Sequence, residues 1–504
     1  MSESFKQHVL NFGIPAAIWF AILGIVRYLH RPFGLDFDGA EQSYLSQWFE
    51  LGSGIQPPLP SWAFHIVFDV FGYSVAWVHC LRLSLIFLIY LGFFKLSLKL
   101  IKSPVLSLMT TLSLVFIFQF SSVMLMQMHT VFITLAVIYS WLCVVNISEK
   151  DQLKSFIWLG FFFGVGFLSK YNFFIHALAL GTAVLVNKEF REKFIQPRIL
   201  LSIAIAFTIS FPHYFWLLEN LDSVRSGISN DMTEQIADSS LAKDFLKGFS
   251  ELLLKTLSFT GVLIFVFLAF FYRSFKSNLK RKEAAIFKLM GYYMFIAYLI
   301  LFVVILLTGA TKIHEHWLQP FIIIFPILLF QKLKGSEDSL KKKFRVLKVI
   351  CLSLFFIISI DFSLKSYIRL YTGHPASVFN IPYKIMADFI EEYASDCEII
   401  YTQNAITAGH MKMILPGKLV LVYDDINHIA MEKKTILSSD ESIFIFNADD
   451  DQIHVPFSSE FIDTALKTKT SFDIRDVRFE RFNYVLTDKR DCRIGFAKIT
   501  IGTE

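Results

Sequence analysis

Eleven long apolar segments restrict what this chain can fold into. They lie near residues 10–29, 73–94, 104–121, 127–146, 156–170, 173–187, 199–218, 251–271, 289–308, 317–331 and 349–367. About 20 apolar residues cross a bilayer as a helix, and the backbone there must satisfy its own hydrogen bonds. With 54% hydrophobic residues among 504, the chain has enough apolar sequence for all eleven segments. The sequence therefore predicts a polytopic α-helical membrane protein with about 11 transmembrane helices.

The lysines and arginines of the connecting loops predict the orientation of these helices. With a cytoplasmic N-terminus, the inner loops hold about 23 of these cations and the outer loops about 7, as the positive-inside rule requires. An odd number of spans then places the C-terminus outside. We therefore expect the C-terminal part to lie outside the membrane, and the family resemblance described below implies that this side is the periplasm at a bacterial inner membrane. The net charge of +5 is too small and too scattered to predict a nucleic-acid partner.

The sequence changes in character after about residue 370. Short apolar stretches at 398–401, 419–423, 442–446 and 483–486 alternate with polar turns, and 383–394 has the pattern of an amphipathic helix. We therefore predict a membrane domain at 1–370 and a small soluble α/β domain at 371–504 outside the membrane. Cys397 and Cys492 fall in this outer domain, where an oxidising compartment would permit a disulfide between them.

The first outer loop, residues 30–72, concentrates acidic side chains. Asp36, Asp38 and Glu41 lie within six residues, and Asp38 and Glu41 share a face if the segment is helical. A carboxylate here would suit removal of a hydroxyl proton from an acceptor. Asp36 and Asp38 also form a DxD pattern, which elsewhere holds a divalent metal, and the plainer alternative is that these acids solvate a helix end. The apolar segments 45–51 and 62–71 would lie as helices along the membrane interface.

Basic and polar residues recur at the outer ends of the later spans. Arg82 lies about nine residues into the second span, a costly position unless it faces the bundle interior or a water-filled cavity. The others are His129, Lys170, Tyr171, Lys312, His314 and His316. Snorkelling or capping explains each residue alone. Together they predict a ring of cations suited to a phosphate whose charge grows as it leaves, facing the acid-rich loop.

These residues resemble motifs of the lipid-dependent glycosyltransferases of the GT-C type, particularly the family 39/83 group. That group includes protein mannosyltransferases and lipid A aminoarabinose transferases. The resemblance runs through about residues 30–330 and rests on Asp38-Gly39-Ala40-Glu41-Gln42, Gln56-Pro57-Pro58-Leu59, Trp62, Arg82, His129-Thr130-Val131, Leu168-Ser169-Lys170-Tyr171-Asn172 and His316-Trp317-Leu318-Gln319-Pro320. Many spans, an acidic first loop and a soluble C-terminal domain outside the membrane extend it.

The resemblance implies a polyprenyl-phosphate sugar as donor, a lipid or surface-glycan hydroxyl as acceptor, and inversion at the anomeric carbon. Asp38 would be the catalytic base, with Glu41 as its acidic neighbour. The donor phosphate would be held by Arg82, Lys170, Lys312, His314 and His316, and the substrates by Gln56, His129 and Tyr171. The mechanism that the resemblance implies requires no cofactor. Metal-assisted transfer through Asp36 and Asp38 is the minor variant.

Other functions are compatible with a polytopic chain. A transporter or flippase of lipid-linked sugars would predict related halves with polar residues at the bilayer midplane, whereas here these residues cluster near the outer ends. A surface-polysaccharide ligase would share the lipid-phosphate chemistry and would be expected to carry its catalytic groups in the loop at 219–250. A non-catalytic scaffold is a third alternative. Activity with a polyprenyl-phosphate sugar would separate all of these.

Overall fold

The computed structural model describes nearly the whole chain. The described residues are 3–31, 34–52, 54, 56–232, 241–280, 283–372, 380–439, 441–448, 455–457, 459–467, 470–485, 487 and 491–503. Part of the loop at 219–250, the segment 233–240, therefore lies outside them. The helices that precede residue 372 are α1 (Glu3–His30), α2 (Phe37–Leu45), α3 (Leu59–Phe71), α4 (Val75–Ile101), α5 (Pro104–Leu112), α6 (Phe118–Ser121), α7 (Met128–Lys150), α8 (Leu153–Phe167), α9 (Phe173–Val186), α10 (Lys188–Phe194), α11 (Pro197–Glu219), α12 (Leu221–Met232), α13 (Leu241–Asn278), α14 (Ala285–Thr308), α15 (Glu315–Ile322), α16 (Phe325–Phe330) and α17 (Lys341–Tyr371).

The predicted fold class is confirmed, with a correction to the individual spans. Each of the eleven predicted segments contains a helix, but within the described residues only 7 helices are long and apolar enough to cross a membrane alone. Three further spans are bent pairs, with angles of 98° after α5, 109° between α9 and α10, and 44° between α15 and α16. The segment at 156–170 corresponds to α8, which has only 15 residues. Hydropathy counts apolar residues and carries no information about backbone direction, so it cannot reveal these bends.

The chain divides into two compact units. The first comprises Met1–Ile22, Glu50–Pro60 and Arg82–Ser359, and the second Leu23–Phe49, Ser61–Leu81 and Ile360–Glu504. Most of the apolar helices belong to the first unit. The second unit combines the first part of the acidic loop with the C-terminal residues. The predicted domain boundary near residue 370 stays a prediction.

Close helix contacts and buried polar bonds hold the first unit together. A Cβ atom at Gly160 in α8 would lie 2.5 Å from the Ser202 carbonyl oxygen in α11, so only glycine permits this approach. The buried His176 ring bonds the Ser140 hydroxyl at 3.0 Å and the Tyr293 hydroxyl at 2.7 Å. These bonds join α7, α9 and α14. Such polar pairs stabilise helix association where lipid offers no hydrophobic driving force.

A five-stranded sheet forms the core of the C-terminal part of the second unit. The strands are β1 (Ile399–Thr402), β2 (Leu419–Val422), β3 (Ser442–Asn447), β4 (Thr470–Asn483) and β5 (Asp491–Thr503), in the spatial order β2-β1-β3-β5-β4. The first three strands are parallel, with Ile399 opposite both Leu419 and Ser442. The other two are antiparallel, with Ser442 opposite Ile499. The helices are α18 (Tyr383–Tyr393), α19 (Ala405–Ile414), α20 (Ile426–Met431), α21 (Lys433–Ser438) and α22 (Ser459–Leu466).

The predicted α/β pattern of this region is largely confirmed. The stretches at 398–401, 419–423 and 442–446 are β1, β2 and β3, and α18 coincides with the predicted helix at 383–394. The stretch at 483–486 is not a separate strand, because Asn483 ends the long strand β4 and position 486 lies outside the described residues. Cys397 and Cys492 are both buried free thiols, so the disulfide considered from the sequence is not formed.

Within the second unit, α2 packs directly on the C-terminal residues. The Leu35 N–H donates to the Nε2 atom of His410 at 3.0 Å, and Gln47 makes two bonds, of 2.8 and 3.1 Å, with the backbone of Val420 in β2. The Tyr44 hydroxyl donates to Asp425 at 3.0 Å. Because α2 carries Asp38 and Glu41, the C-terminal sheet domain helps to hold these two acids in place.

Gly409→Ala is expected to destabilise this contact. A Cβ atom at position 409 in α19 would lie 1.8 Å from the Ala40 carbonyl oxygen in α2. Alanine favours a helix by about 1 kcal/mol over glycine, but overpacking against backbone costs about 1–3 kcal/mol or more, and the clash is severe. We therefore expect a lower apparent Tm in detergent. Gly417→Ala is the control, because its Cβ would meet nothing within 4 Å. An unchanged Tm for Gly409→Ala would argue against this packing.

Candidate active site

The acidic helix α2 begins at Asp36. The backbone of Asp36 is extended, and its buried carboxylate accepts a hydrogen bond from the Gly39 N–H at 2.9 Å. This cap satisfies an N–H group that no intrahelical bond reaches. The helix runs from Phe37 to Leu45, with Ser46 as its C-cap, so the prediction of a helix at 45–51 was wrong. The prediction of a helix at 62–71 is confirmed by α3.

Asp38 and Glu41 lie one turn apart near the start of α2. Asp38 is half-buried. Part of the Glu41 side chain reaches solvent, but protein surrounds most of it; this burial, together with the nearby Asp38 carboxylate, raises the pKa of Glu41 to about 7. Below that pH Glu41 is mostly protonated, and above it both carboxyl groups interact as charges. The pair can therefore change its total charge close to neutral pH.

We expect this titration to be visible in the activity. Ionisation of Glu41 places a second negative charge beside Asp38, which makes Asp38 a stronger base, so kcat/KM for transfer should rise with pH through about 7. Glu41→Gln should remove that inflection, because the amide does not titrate. Profiles of both proteins measured from pH 5 to 9 check the expectation. An inflection near pH 7 that persists in Glu41→Gln would assign it to another group.

Four of the predicted basic residues come together in the first unit. Lys170, which follows α8, is buried, and its ammonium group lies close enough to His129 and His316 to interact electrostatically with both. The His314 and His316 rings lie 5.3 Å apart between centroids. His129 approaches the Ser169 carbonyl oxygen at 3.3 Å. We call these four residues, His129, Lys170, His314 and His316, the cation cluster after Lys170, which supplies its permanent charge, whereas the His129 and His316 rings beside it are neutral.

Glu315, between the two histidines, was not assigned from the sequence. It accepts a hydrogen bond from the Gln119 amide at 2.6 Å and one from the Ser258 hydroxyl at 3.1 Å, and Lys255 approaches it at 3.9 Å. These bonds hold the loop before α15 at the cation cluster. Gln119 lies 196 residues from Glu315 in the chain, and nothing in its sequence context signals this pairing.

Three other predicted site residues, Arg82, Gln56 and Lys312, also lie in the first unit. Arg82 is fully buried in α4 and donates to the Leu125 carbonyl oxygen at 2.9 Å. Gln56 is half-buried, and its neighbour Leu59 donates its N–H to Leu168 at 3.1 Å, which places the Gln56 segment beside the Lys170 loop. The Lys312 N–H bonds the Met232 carbonyl oxygen at 3.1 Å. The prediction that the acids of α2 face these cations stays a prediction.

The two motif segments at 168–172 and 316–320 carry buried polar atoms that could contact a polar ligand. The Tyr171 hydroxyl, Asn172 Oδ1 and Gln319 Oε1 are buried, and among the described residues no atom forms a hydrogen bond with them. Asn172 and Gln319 use their amide nitrogens within the protein, on the Trp317 carbonyl at 3.3 Å and the Thr134 hydroxyl at 3.1 Å. Buried polar groups are normally satisfied, so these atoms are suited to contact a bound substrate.

A large cavity of the first unit lies elsewhere. It has a volume of about 1030 Å³, and its described lining includes Lys95, Lys99, Lys102, Lys150 and Lys154. Lys99 follows Arg82 by 17 residues of α4, or about 25 Å along a helix, so this cavity is at the opposite end of α4. Its lysines match the loops that the charge distribution predicts to be cytoplasmic.

Comparisons of the fold and of one sequence segment define the class of protein. The profile of the family described as dolichyl-phosphate-mannose-protein mannosyltransferase matches residues 55–216. The crystal structure of ArnT from Cupriavidus metallidurans superposes with a TM-score of 0.54 over 95% of this chain and 97% of that chain, at 12% identity. Arabinofuranosyltransferase AftD from Mycobacteria gives a TM-score of 0.50 over 98% of this chain and 40% of its own, at 10% identity. The chain has the GT-C fold, as the sequence resemblance implied.

Two curated relatives are similar to this chain over most of its length. The lipopolysaccharide core galacturonosyltransferase RgtB of Rhizobium johnstonii is 27% identical over 84% of this chain and 85% of its own length. RgtA of the same organism, with the same description, is 26% identical over 84% of both chains. This protein is an integral membrane glycosyltransferase.

Proposed function

We propose that the protein transfers a sugar from a polyprenyl-phosphate donor to a hydroxyl of the lipopolysaccharide core, at the outer face of the bacterial inner membrane. The observation that carries this proposal is the cation cluster, in which Lys170 and three imidazoles converge from separate segments of the first unit. The relatives that act on lipopolysaccharide core cover most of this chain, which favours the same class of acceptor.

The cation cluster suits a departing phosphate. A phosphodiester-linked sugar carries one negative charge, and the polyprenyl monophosphate that leaves carries up to two. Lys170 is buried, so its charge is weakly screened and already in place when the new charge develops. The proposed donor-phosphate set is completed by Arg82, Lys312, His314 and His316. The proposed substrate contacts are Gln56, His129 and Tyr171.

Asp38 is the proposed base. In one displacement the acceptor oxygen forms a bond to the anomeric carbon while the bond from that carbon to the phosphate oxygen breaks. The hydroxyl proton passes to Asp38, and the phosphate leaves on its lipid. Inversion requires base and leaving group on opposite faces of the sugar, as in inverting glycoside hydrolysis. Glu41 adjusts the charge beside the base.

Transfer by the purified protein in nanodiscs tests the proposal. Polyprenyl-phosphate galacturonic acid is the first donor to use, because both relatives are galacturonosyltransferases, and lipopolysaccharide core is the acceptor. Formation of labelled glycolipid supports the proposal. Translocation of the donor across a vesicle membrane without transfer would favour the transporter alternative, and attachment of a preassembled polysaccharide would favour the ligase.

We expect this transfer to survive a chelator. The Lys170 charge and the N–H groups of the imidazoles can stabilise the leaving phosphate without a metal, and the Asp36 carboxylate already accepts the Gly39 N–H. Activity measured with and without excess EDTA checks this expectation. Loss of activity that Mg²⁺ or Mn²⁺ restores would instead support metal binding through Asp36 and Asp38.

The proposed location also has a test. Alkaline phosphatase is active only where its disulfides form, so a fusion after the last described residue should be active if the C-terminal domain is periplasmic. A fusion in the loop between α16 and α17 should be inactive under the same topology. The reverse pattern would overturn the orientation.

A further inference from the structure

The parallel strands of the C-terminal sheet create a topological switch point. Strand β1, the middle one of the three parallel strands, connects through α19 to β2 on one side, and the chain then returns through α20 and α21 to β3 on the other side. The chain leaves the carboxyl end of β1 toward β2 and the carboxyl end of β3 toward β4, on opposite sides. A crevice therefore opens between the carboxyl ends of β1 and β3. In open α/β sheets this crevice is where ligands bind.

A cavity of about 200 Å³ lies at this crevice. Gln403 and Asn404 follow the end of β1, Thr407 lies in the first turn of α19, and Asn447 ends β3. Tyr383, Phe446 and Tyr484 also line the cavity, and the described lining contains no charged side chain. The cavity lies wholly within the second unit.

Hydrogen bonds orient the two amides that follow β1. Gln403 Oε1 accepts the Asn447 N–H at 2.8 Å, and Asn404 Oδ1 accepts the Thr407 N–H at 2.9 Å. With both oxygens accepting backbone donors, each side chain presents its NH₂ group as a donor. The Asn404 cap also uses an N–H at the start of α19, where a phosphate would otherwise bind.

We propose that this cavity binds one neutral sugar ring of the acceptor glycan. The inference rests on the proposed function, and it assigns recognition of the acceptor glycan to this cavity. Oriented amide donors match sugar hydroxyls, and aromatic rings offer apolar faces to the C–H surface of a pyranose. A lining without cations does not favour a phosphate or an acidic sugar. The segment after β1, Gln403-Asn404-Ala405, also lacks the glycines that a dinucleotide requires.

The direct test measures binding without turnover. Saturation-transfer NMR is recorded with the full-length Asp38→Asn protein and lipid-free core oligosaccharide released from lipopolysaccharide by mild acid. We expect a signal from the oligosaccharide that Gln403→Leu with Asn404→Asp reduces at least severalfold, because the pair removes both NH₂ donors while aspartate keeps the cap on the Thr407 N–H. Asn427→Leu is the matched control, since it replaces an exposed amide of α20 that does not line the cavity. Equal signals from the double variant and the control would overturn the inference.

A kinetic test keeps this inference separate from the proposed function. In the catalytically intact protein, loss of two neutral hydrogen bonds should raise the acceptor KM about tenfold and leave the donor KM unchanged. An unchanged acceptor KM, with normal transfer, would reject the sugar site and leave the transferase proposal standing. Conversely, oligosaccharide binding that depends on Gln403 and Asn404, in a protein without transfer activity, would support the site and reject the proposed function. Melting curves of all variants exclude misfolding.

Discussion

Asp38→Asn is expected to reduce sugar transfer by about 1000-fold, because an amide cannot accept the proton of the acceptor hydroxyl, and a positioned general base contributes about 10²–10⁴-fold. The side chain is half-buried on α2, one turn from Glu41, and asparagine has nearly the same size. The Tm should therefore stay close to that of the wild type, and the donor KM should change little.

Asp36→Asn is the matched control for this experiment. It is the same isosteric change two residues away, and asparagine caps a helix about as well as aspartate, so the bond to the Gly39 N–H is retained. We expect less than about a tenfold loss of activity. Wild-type turnover in Asp38→Asn would remove the base assignment. A large loss in both variants would instead favour a metal held by the two carboxylates.

Lys170→Met is expected to reduce transfer by about 10²–10³-fold, the usual effect of removing one preorganised group that stabilises developing charge. Lys170 is buried and interacts with His129 and His316, so its loss removes a permanent positive charge from the cation cluster. The loss should fall mainly on kcat, because the charge on the phosphate grows as the bond breaks.

Lys154→Met provides the control for Lys170. Lys154 is exposed near the beginning of α8, whereas Lys170 follows the end of the same helix. Its removal should leave transfer unchanged. Lys170→Arg should recover part of the activity because it retains the charge, although its geometry differs. Activity of Lys170→Met equal to that of the control would exclude Lys170 from the donor-phosphate set.

The sequence alone predicted the class of fold and the segments that carry the polar residues. Apolar length and loop charge depend on composition within short windows, so all eleven helical segments could be located. The bends beside α5, α9 and α15 could not, because they depend on backbone angles at single residues. Asn187, for example, has extended backbone at the 109° bend. The prediction of a helix at 45–51 failed because hydropathy does not show where a helix ends, and α2 ends at Leu45.

Long-range pairing was beyond the sequence. The charge pattern singled out His129, Lys170, His314 and His316, but the bonds that place Glu315 among them come from Gln119 and Ser258, far away in the chain. Likewise, the acidic residues of α2 were recognised, whereas their support by His410, Val420 and Asp425 of the C-terminal domain was not. Local composition determines where helices and charges occur along this chain. Packing between segments hundreds of residues apart decides which side chains meet and which buried polar atoms could contact a substrate. The sequence does not reveal this, because a contact depends on three-dimensional distance, which neither residue spacing nor hydropathy encodes.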